Sequence, residues 1–280
     1  MSKNLGIVLG GGGITGIAWE TGIISGLFSQ GIDLKDADKI LGTSAGSFVG
    51  AALASGFNMN DYMEKFKNPA AFNEFAKVRP EVANLWIQAF RLGGKDRQAV
   101  GRLFGQIIED YPALTRMEER LSIVKNRLVT TEWASNLEIS AINADTGKIH
   151  FFDDHSGMSL IEGVAASGAV PGVWPHVQFL DNDWIDGGMV SSTNAYHMQG
   201  VDVVLVFAPL PQKNGAIPSP AEEVDQLCQQ AIAELIIPDE RSRSEIGTNI
   251  YDASNCAKIA QAGYEQGKEL AVKIQRLLES

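Results

Sequence analysis

The sequence predicts an α/β fold that opens with a parallel βαβ unit, on three observations. Leu5-Gly6-Ile7-Val8-Leu9 is a short apolar run closed by glycine, as a buried strand reads. Ile14, Ile17, Ala18, Ile24, Leu27 and Phe28 then fall at helical spacing, and the helix ends near Gly31. Lys39-Ile40-Leu41 follows as a second strand, so strand, loop, helix and strand form one unit whose first strands run parallel.

After the second strand the chain enters Gly42-Thr43-Ser44-Ala45-Gly46, the pattern G-x-S-x-G, and then a small apolar helix from Phe48 to Ala54. A serine on a tight strand-to-helix turn is held away from the backbone at the positive end of the helix dipole. The competing reading of Ser44 is a plain helix N-cap. From Phe57 to about Leu128 the pattern is helical, with helices at Asn60–Lys67, Glu81–Leu92, Val100–Asp110 and Thr115–Leu128, separated by Pro69, Pro80, Gly93-Gly94 and Pro112. No strand is expected there. Most of its aromatics, Phe66, Phe72, Phe75, Trp86, Phe90 and Phe104, are expected in the interior and a minority in an apolar groove.

Strands resume at Leu137–Ala141 and Lys148–Phe152, joined by the turn-rich Asn143–Gly147 as a hairpin. A short helix spans Met158–Ser167. Val177–Leu180 and Trp184-Ile185 form a second hairpin, and Val201–Phe207 is the last clear strand. The tail reads as helix from Ala221 to Ile237, stopped by Pro238, and again from Ile250 to Leu278. With no repeats and no linker, one domain is expected over residues 1–280, with a helical insertion at about 57–128 and a helical tail from about 221.

Composition narrows the function classes. A net charge of -11 argues against nucleic acid and against strong binding to anionic membranes, both of which need clustered Lys and Arg. It leaves open brief contact with a membrane surface and a neutral substrate. Cys228 and Cys256 lie far apart without metal-type spacing, which points to free thiols and a cytoplasmic setting. The apolar stretch after Lys3 ends at once in glycines, a poor signal peptide, and no run approaches the ~20 residues of a membrane span.

Two further stretches bear on chemistry. Gly11-Gly12-Gly13-Ile14-Thr15-Gly16 fits G-x-G-x-x-G between strand and helix, formally a dinucleotide fingerprint. That fingerprint wants an acid at the end of the second strand, whereas Asp33, Asp36 and Asp38 all precede it. The same loop also suits an oxyanion hole, since glycine N–H groups at a helix N-terminus meet negative charge. Loops after neighbouring parallel strands open on one sheet edge, which puts these N–H groups beside Ser44. Trp184-Ile185-Asp186-Gly187-Gly188 places an aspartate between a strand end and two glycines. It reads either as a base for the serine or as an Asp-Gly turn.

Together these stretches resemble the patatin-like phospholipase family. Gly10–Gly16 is similar to its oxyanion loop, Gly42–Gly46 to its nucleophile elbow, and Asp186-Gly187-Gly188 to its dyad aspartate motif. Ala165–Gly172 is similar to the segment that precedes that aspartate. The likeness runs from Leu5 to the strand near Phe207, weakest in the helical segment and the tail. It implies a three-layer α/β/α fold with a mostly parallel sheet, and a Ser44–Asp186 dyad hydrolysing fatty acyl esters. Gly11, Gly12 and Gly13 would hold the oxyanion, with no metal or cofactor, and the substrate would be a lipid or small ester. The family usually carries Arg or Lys in the glycine loop where this chain has Thr15. Two other readings stand beside this one: a phosphate- or nucleotide-binding module using Gly11–Gly16, and a family member without catalysis. His150, His155, His176 and His197 are expected to be packing or surface residues, and none forms a metal-type pair.

Overall fold

The computed structural model describes residues 3–68, 76 and 78–279. Phe72 and Phe75 of the aromatic set, and Pro69 among the breakers, lie outside the described residues. Strand β1 (Leu5–Leu9) leads into helix α1 (Gly13–Ser29), β2 (Lys39–Gly42) and α2 (Ala45–Ala54). Helices α3 (Met59–Lys65), α4 (Pro80–Gly93), α5 (Arg97–Asp110) and α6 (Met117–Arg127) follow, with no strand among the described residues of that stretch. Then come β3 (Leu137–Asn143), β4 (Ile149–Phe152), α7 (Leu160–Ser167), β5 (Val177–Phe179), β6 (Asn182–Asp186) and β7 (Val203–Phe207). The tail holds α8 (Pro220–Leu227), β8 (Ile232–Ile236), α9 (Glu240–Ile246) and α10 (Cys256–Glu279).

The strands join in the order β5-β6-β3-β2-β1-β7-β8, with β4 also on β3. Strands β3, β2, β1, β7 and β8 run parallel. Alternation along each strand explains the layers. Ile7, Leu9, Ile40, Leu205 and Phe207 point into one core with α1, α2, α7 and α10. Val8, Leu41, Val204 and Val206 point the other way, onto Val224 and Leu227 of α8 and onto Ala195 and Met198. Helices therefore cover both faces, the α/β/α arrangement expected. The helical stretch is shared between the faces: Tyr62 and Val124 join the α1 side, while Ala89, Val100 and Phe104 pack with Ile142 and Ile185 on a separate core.

The register places the end of β6 against the end of β2. Ile139 of β3 pairs Gly42 on one edge and Phe152 of β4 on the other. Ala141 and Ile142 pair β4 on that same second edge and β6 on the first. Strands β2 and β6 thus lie end to end along one edge of β3, running toward each other, and Asp186 opposite Ala141 meets the chain just past Gly42.

The tail departs from the sequence reading. The helix expected over Ala221–Ile237 stops at Leu227, and Ile232–Ile236 becomes a strand, paired from Val203↔Ile232 to Phe207↔Ile236. The free edge of β7 offers a ladder that outweighs the helix-compatible composition of the segment. The last helix starts at Cys256 rather than Ile250, after α9, which is capped by Asp239, and a 3-10 turn. It packs along α1 at very short range: a side chain on Gly22 or Gly26 would run into the Ala260 or Tyr264 carbonyl, and one on Gly263 or Gly267 into the Trp19 or Ile23 carbonyl. Trp19 Nε1 donates to Gln266 Oε1 across this seam (3.0 Å).

Candidate active site

Ser44 sits between β2 and α2 with φ 52 and ψ -114, a left-handed backbone that a serine adopts only at a cost of about 1–3 kcal/mol. Backbone bonds tie the turn to the end of β1 and to the glycine loop, and close it on itself. Thr43 N–H donates to Leu9 O (2.9 Å), and Gly46 N–H donates to both Gly10 O (3.0 Å) and Thr43 O (2.9 Å). Gly46 is required because a Cβ there would strike the Leu9 carbonyl. Ser44 N–H is taken by Ser167 Oγ at 2.8 Å. The Ser44 side chain makes no capping bond to α2, so the N-cap reading does not describe its hydroxyl.

That hydroxyl faces the same cavity as the Asp186 carboxyl and favours its charged form. Asp186 is 1% exposed, and burial pushes its pKa from 3.8 up to about 7. The Gly188 N–H, the Ser44 hydroxyl and the Arg120 charge oppose the rise in that order. Asp186 Oδ1 accepts from Gly188 N–H (2.6 Å) and Asp186 N–H donates to Ala169 O (3.1 Å). The Asp-Gly turn is therefore present, and the carboxyl it holds still faces the cavity shared with Ser44.

The glycine loop differs from expectation at one position. Gly11 lies beside Ser44, where a Cβ would sit 3.5 Å from the serine Cβ, but its N–H donates to Ser192 O at 2.7 Å. The Gly11 N–H is thus turned away from an incoming anion. The Gly12 and Gly13 N–H groups, at the first turn of α1, have no acceptor among the described residues. Gly10 N–H is also committed, to Phe207 O (3.0 Å) and to the buried Glu20 Oε1 (2.8 Å). A phosphate cradle would keep few donors, and the acids near the second strand serve elsewhere: Asp38 takes the Leu5 N–H and Asp33 pairs Lys35.

A cavity opens over these groups. Ser44, Asp186 and Gly11–Gly13 form its polar end, and Ile17, Phe48, Trp86, Phe90, Phe104 and Trp174 line much of the rest. Three of the aromatics singled out in the helical segment therefore face the site, while Phe66 is core. Thr15 is buried, its Oγ1 donating to Gly12 O (3.1 Å). The cations at this cavity come from α6 instead, as Arg120 and Arg127, the first stacked over Trp174 at 4.6 Å.

None of the four histidines lines the cavity. His197 Nε2 donates to Glu138 Oε2 (2.7 Å) and its ring stacks on Phe151, His176 faces Asp183 (3.4 Å), His150 packs on Phe152 and Trp184, and His155 is exposed. Among the described residues no group of three His, Cys, Asp or Glu is placed to hold a metal ion.

Several contributors escaped the sequence reading. Ser167 lay in the singled-out Ala165–Gly172 stretch, but nothing local marks its Oγ as the anchor of Ser44. Asn194, in a left-handed conformation (φ 54), spans both halves of the site: its Nδ2 approaches Thr43 Oγ1 (3.1 Å), Ser140 Oγ (3.3 Å) and Gly187 O (3.3 Å). Tyr251, from the tail, lines the cavity.

The sequence model of the family described as Patatin-like phospholipase matches residues 7–198. Lysophospholipase nte1 of Aspergillus oryzae and lysophospholipase NTE1 of Coccidioides immitis are each 26% identical over 216 residues. Those matches cover 74% of this chain but 12% and 11% of the relatives, so the chain spans only a small part of their length. Among solved structures, human group IVD cytosolic phospholipase A2, in complex with methyl gamma-linolenyl fluorophosphonate, shares the fold. Its TM-score is 0.52 at 12% identity, over 99% of this chain and 58% of that one.

Proposed function

Because the chain belongs to the patatin-like phospholipase family, we propose that it hydrolyses fatty acyl esters of lipids, with Ser44 as nucleophile and Asp186 as its base. The observation that carries this is the meeting, in one cavity, of a serine on a strained turn and a buried carboxyl whose pKa stands at about 7. A carboxylate of that basicity accepts a proton near neutral pH far better than an ordinary one.

The steps follow from the positions. Asp186 takes the Ser44 proton as Oγ bonds to the ester carbonyl carbon. The oxyanion rests on the Gly12 and Gly13 N–H groups and the α1 dipole, each donor contributing about 3 kcal/mol. Collapse of the tetrahedral intermediate breaks the ester C–O bond, and the leaving alcohol takes the proton from Asp186. Water, deprotonated by the same carboxylate, then attacks the acyl-serine, and the proton returns to Ser44 Oγ. The aromatic lining of the cavity suits an acyl chain. The lysophospholipase names of the relatives point to single-chain phospholipids or similar esters. Ile87 and Leu92, exposed on α4 beside Trp86 and Phe90, suit brief contact with a membrane surface. No helix among the described residues is long and apolar enough to cross a membrane. The free thiols of Cys228 and Cys256 suit a reducing compartment, and we place the protein in the cytoplasm.

The test is a fluorophosphonate probe together with an ester panel of varied acyl length, on wild type and Ser44→Ala. Covalent label and turnover in the wild type, both absent from the variant, are expected. A wild type that neither labels nor turns over any ester would favour a member without catalysis, and label persisting in Ser44→Ala would move the nucleophile elsewhere.

A further inference from the structure

The tail reaches the site through one short segment that lies beyond the residues matched by the family, 7–198. Ile250 O accepts the Thr15 N–H at 3.2 Å, and the Gly13 position lies so close under it that a Cβ there would meet the Ile250 carbonyl at 2.5 Å. The segment is therefore seated on the first turn of α1. Two side-chain turns keep its shape: Asn249 Oδ1 takes the Tyr251 N–H (3.1 Å) and Asp252 Oδ1 takes the Ser254 N–H (2.9 Å). Four residues after Asp252, α10 begins and docks along α1.

This places the Tyr251 ring in the wall of the cavity that holds Ser44 and Asp186. No acceptor among the described residues takes its phenol hydrogen. Burial, and then the Asp186 charge, hold the phenol well above its ordinary pKa, against the pull of Arg120. Tyr251 therefore keeps its proton around neutral pH, where Asp186 ionises. In the proposed reaction the oxyanion belongs to the Gly12 and Gly13 N–H groups, and Asp186 must reach both Ser44 Oγ and the leaving oxygen. Tyr251, in the wall of the same cavity and within the Asp186 field, is a neutral donor left for that second oxygen.

We propose that Tyr251 is a further site residue of the ester hydrolysis, its phenol O–H donating a hydrogen bond to the leaving-group oxygen as the ester bond breaks. The inference rests on the Ser44–Asp186 reading. The phenol keeps its proton throughout; it steadies negative charge on the departing oxygen until Asp186 delivers the proton. Such help matters for an alkyl alcohol, a poor leaving group, and little for a nitrophenol, which carries its own charge well.

Tyr251→Phe keeps the ring and removes only the hydroxyl. On an alkyl ester and a p-nitrophenyl ester of the same acyl chain, kcat/KM is compared between wild type and Tyr251→Phe, because this parameter reports the step that expels the alcohol. A drop of about tenfold on the alkyl ester, with the nitrophenyl ester within about twofold, is expected. A purely packing role would leave both substrates unchanged or lower both alike, and either result overturns the proposal. Fluorophosphonate labelling of Ser44 separates the two levels. Labelled, active wild type with an indifferent Tyr251→Phe refutes only the role of the tyrosine. Wild type without label or turnover refutes the underlying reading and this one with it.

Discussion

Replacing Asp186 by asparagine should destroy activity and stabilise the protein, and the second effect is the more revealing. The carboxyl is buried, and its pKa lies at about 7 instead of 3.8. Because the folded value is raised, the folded state keeps a proton that the unfolded chain releases between about pH 4 and pH 7. The contribution of this group is fully present below pH 4 and is lost as pH rises through 7. At about 1.4 kcal/mol per unit, the charged carboxylate costs the fold on the order of 4 kcal/mol at pH 8. At pH 5 the same linkage gives roughly 2 kcal/mol. Asparagine is isosteric, can still accept the Gly188 N–H, and does not ionise. Urea unfolding of both proteins at pH 5 and pH 8 should therefore show the stability advantage of Asp186→Asn growing by about 2–3 kcal/mol with pH. Other titrating groups are common to both proteins and cancel in the difference. Ester turnover should fall by orders of magnitude in the same variant. Parallel stability curves would mean that the carboxyl is not held at high pKa, and the argument for its basicity would fail. Turnover near wild type in the folded variant would remove it as the base.

Ser44→Gly should be inactive yet about 1 kcal/mol more stable than Ser44→Ala, since only glycine relaxes at φ 52; equal unfolding midpoints would mean that the turn is unstrained. Each of His150→Ala, His155→Ala, His176→Ala and His197→Ala should keep ester turnover within about tenfold, because none lines the cavity; a thousandfold loss in one folded variant would require an imidazole base. Phe90→Ala should lower kcat/KM on long-chain esters several-fold more than on acetyl esters, as expected of a cavity-lining ring; equal losses on both would mark Phe90 as core only.

What was legible in the sequence was local. Glycines bracket Ser44 and follow Asp186, and the apolar runs before them read as strands, so the turns could be placed from neighbouring residues alone. The parallel start followed from the same punctuation. What was not legible depends on partners far along the chain. Gly11 looks like Gly12 and Gly13 until Ser192 claims its N–H. Ile232–Ile236 has no strong pattern of its own and becomes a strand because β7 has an open edge there. The approach of Asp186 to Ser44 comes from register on β3, and the anchoring of the serine N–H from Ser167. Tyr251 sat in a stretch read as the start of a helix, and only the Ile250 carbonyl on α1 shows where it goes.

The glycine seam between α1 and α10 makes the tail a mechanical part of the reaction centre. Each helix carries two glycines facing a carbonyl of the other, so neither can slide or roll without a clash. The first turn of α1 holds the free N–H groups at the other end of this rigid pair. A disturbance that loosens α10 at any point along its length is thereby carried to the N–H groups proposed as oxyanion donors. Substitutions at Gly263 or Gly267, far from any substrate atom, should behave like lesions of catalysis, and an alanine in one helix would be tolerated only where the opposing helix gives way.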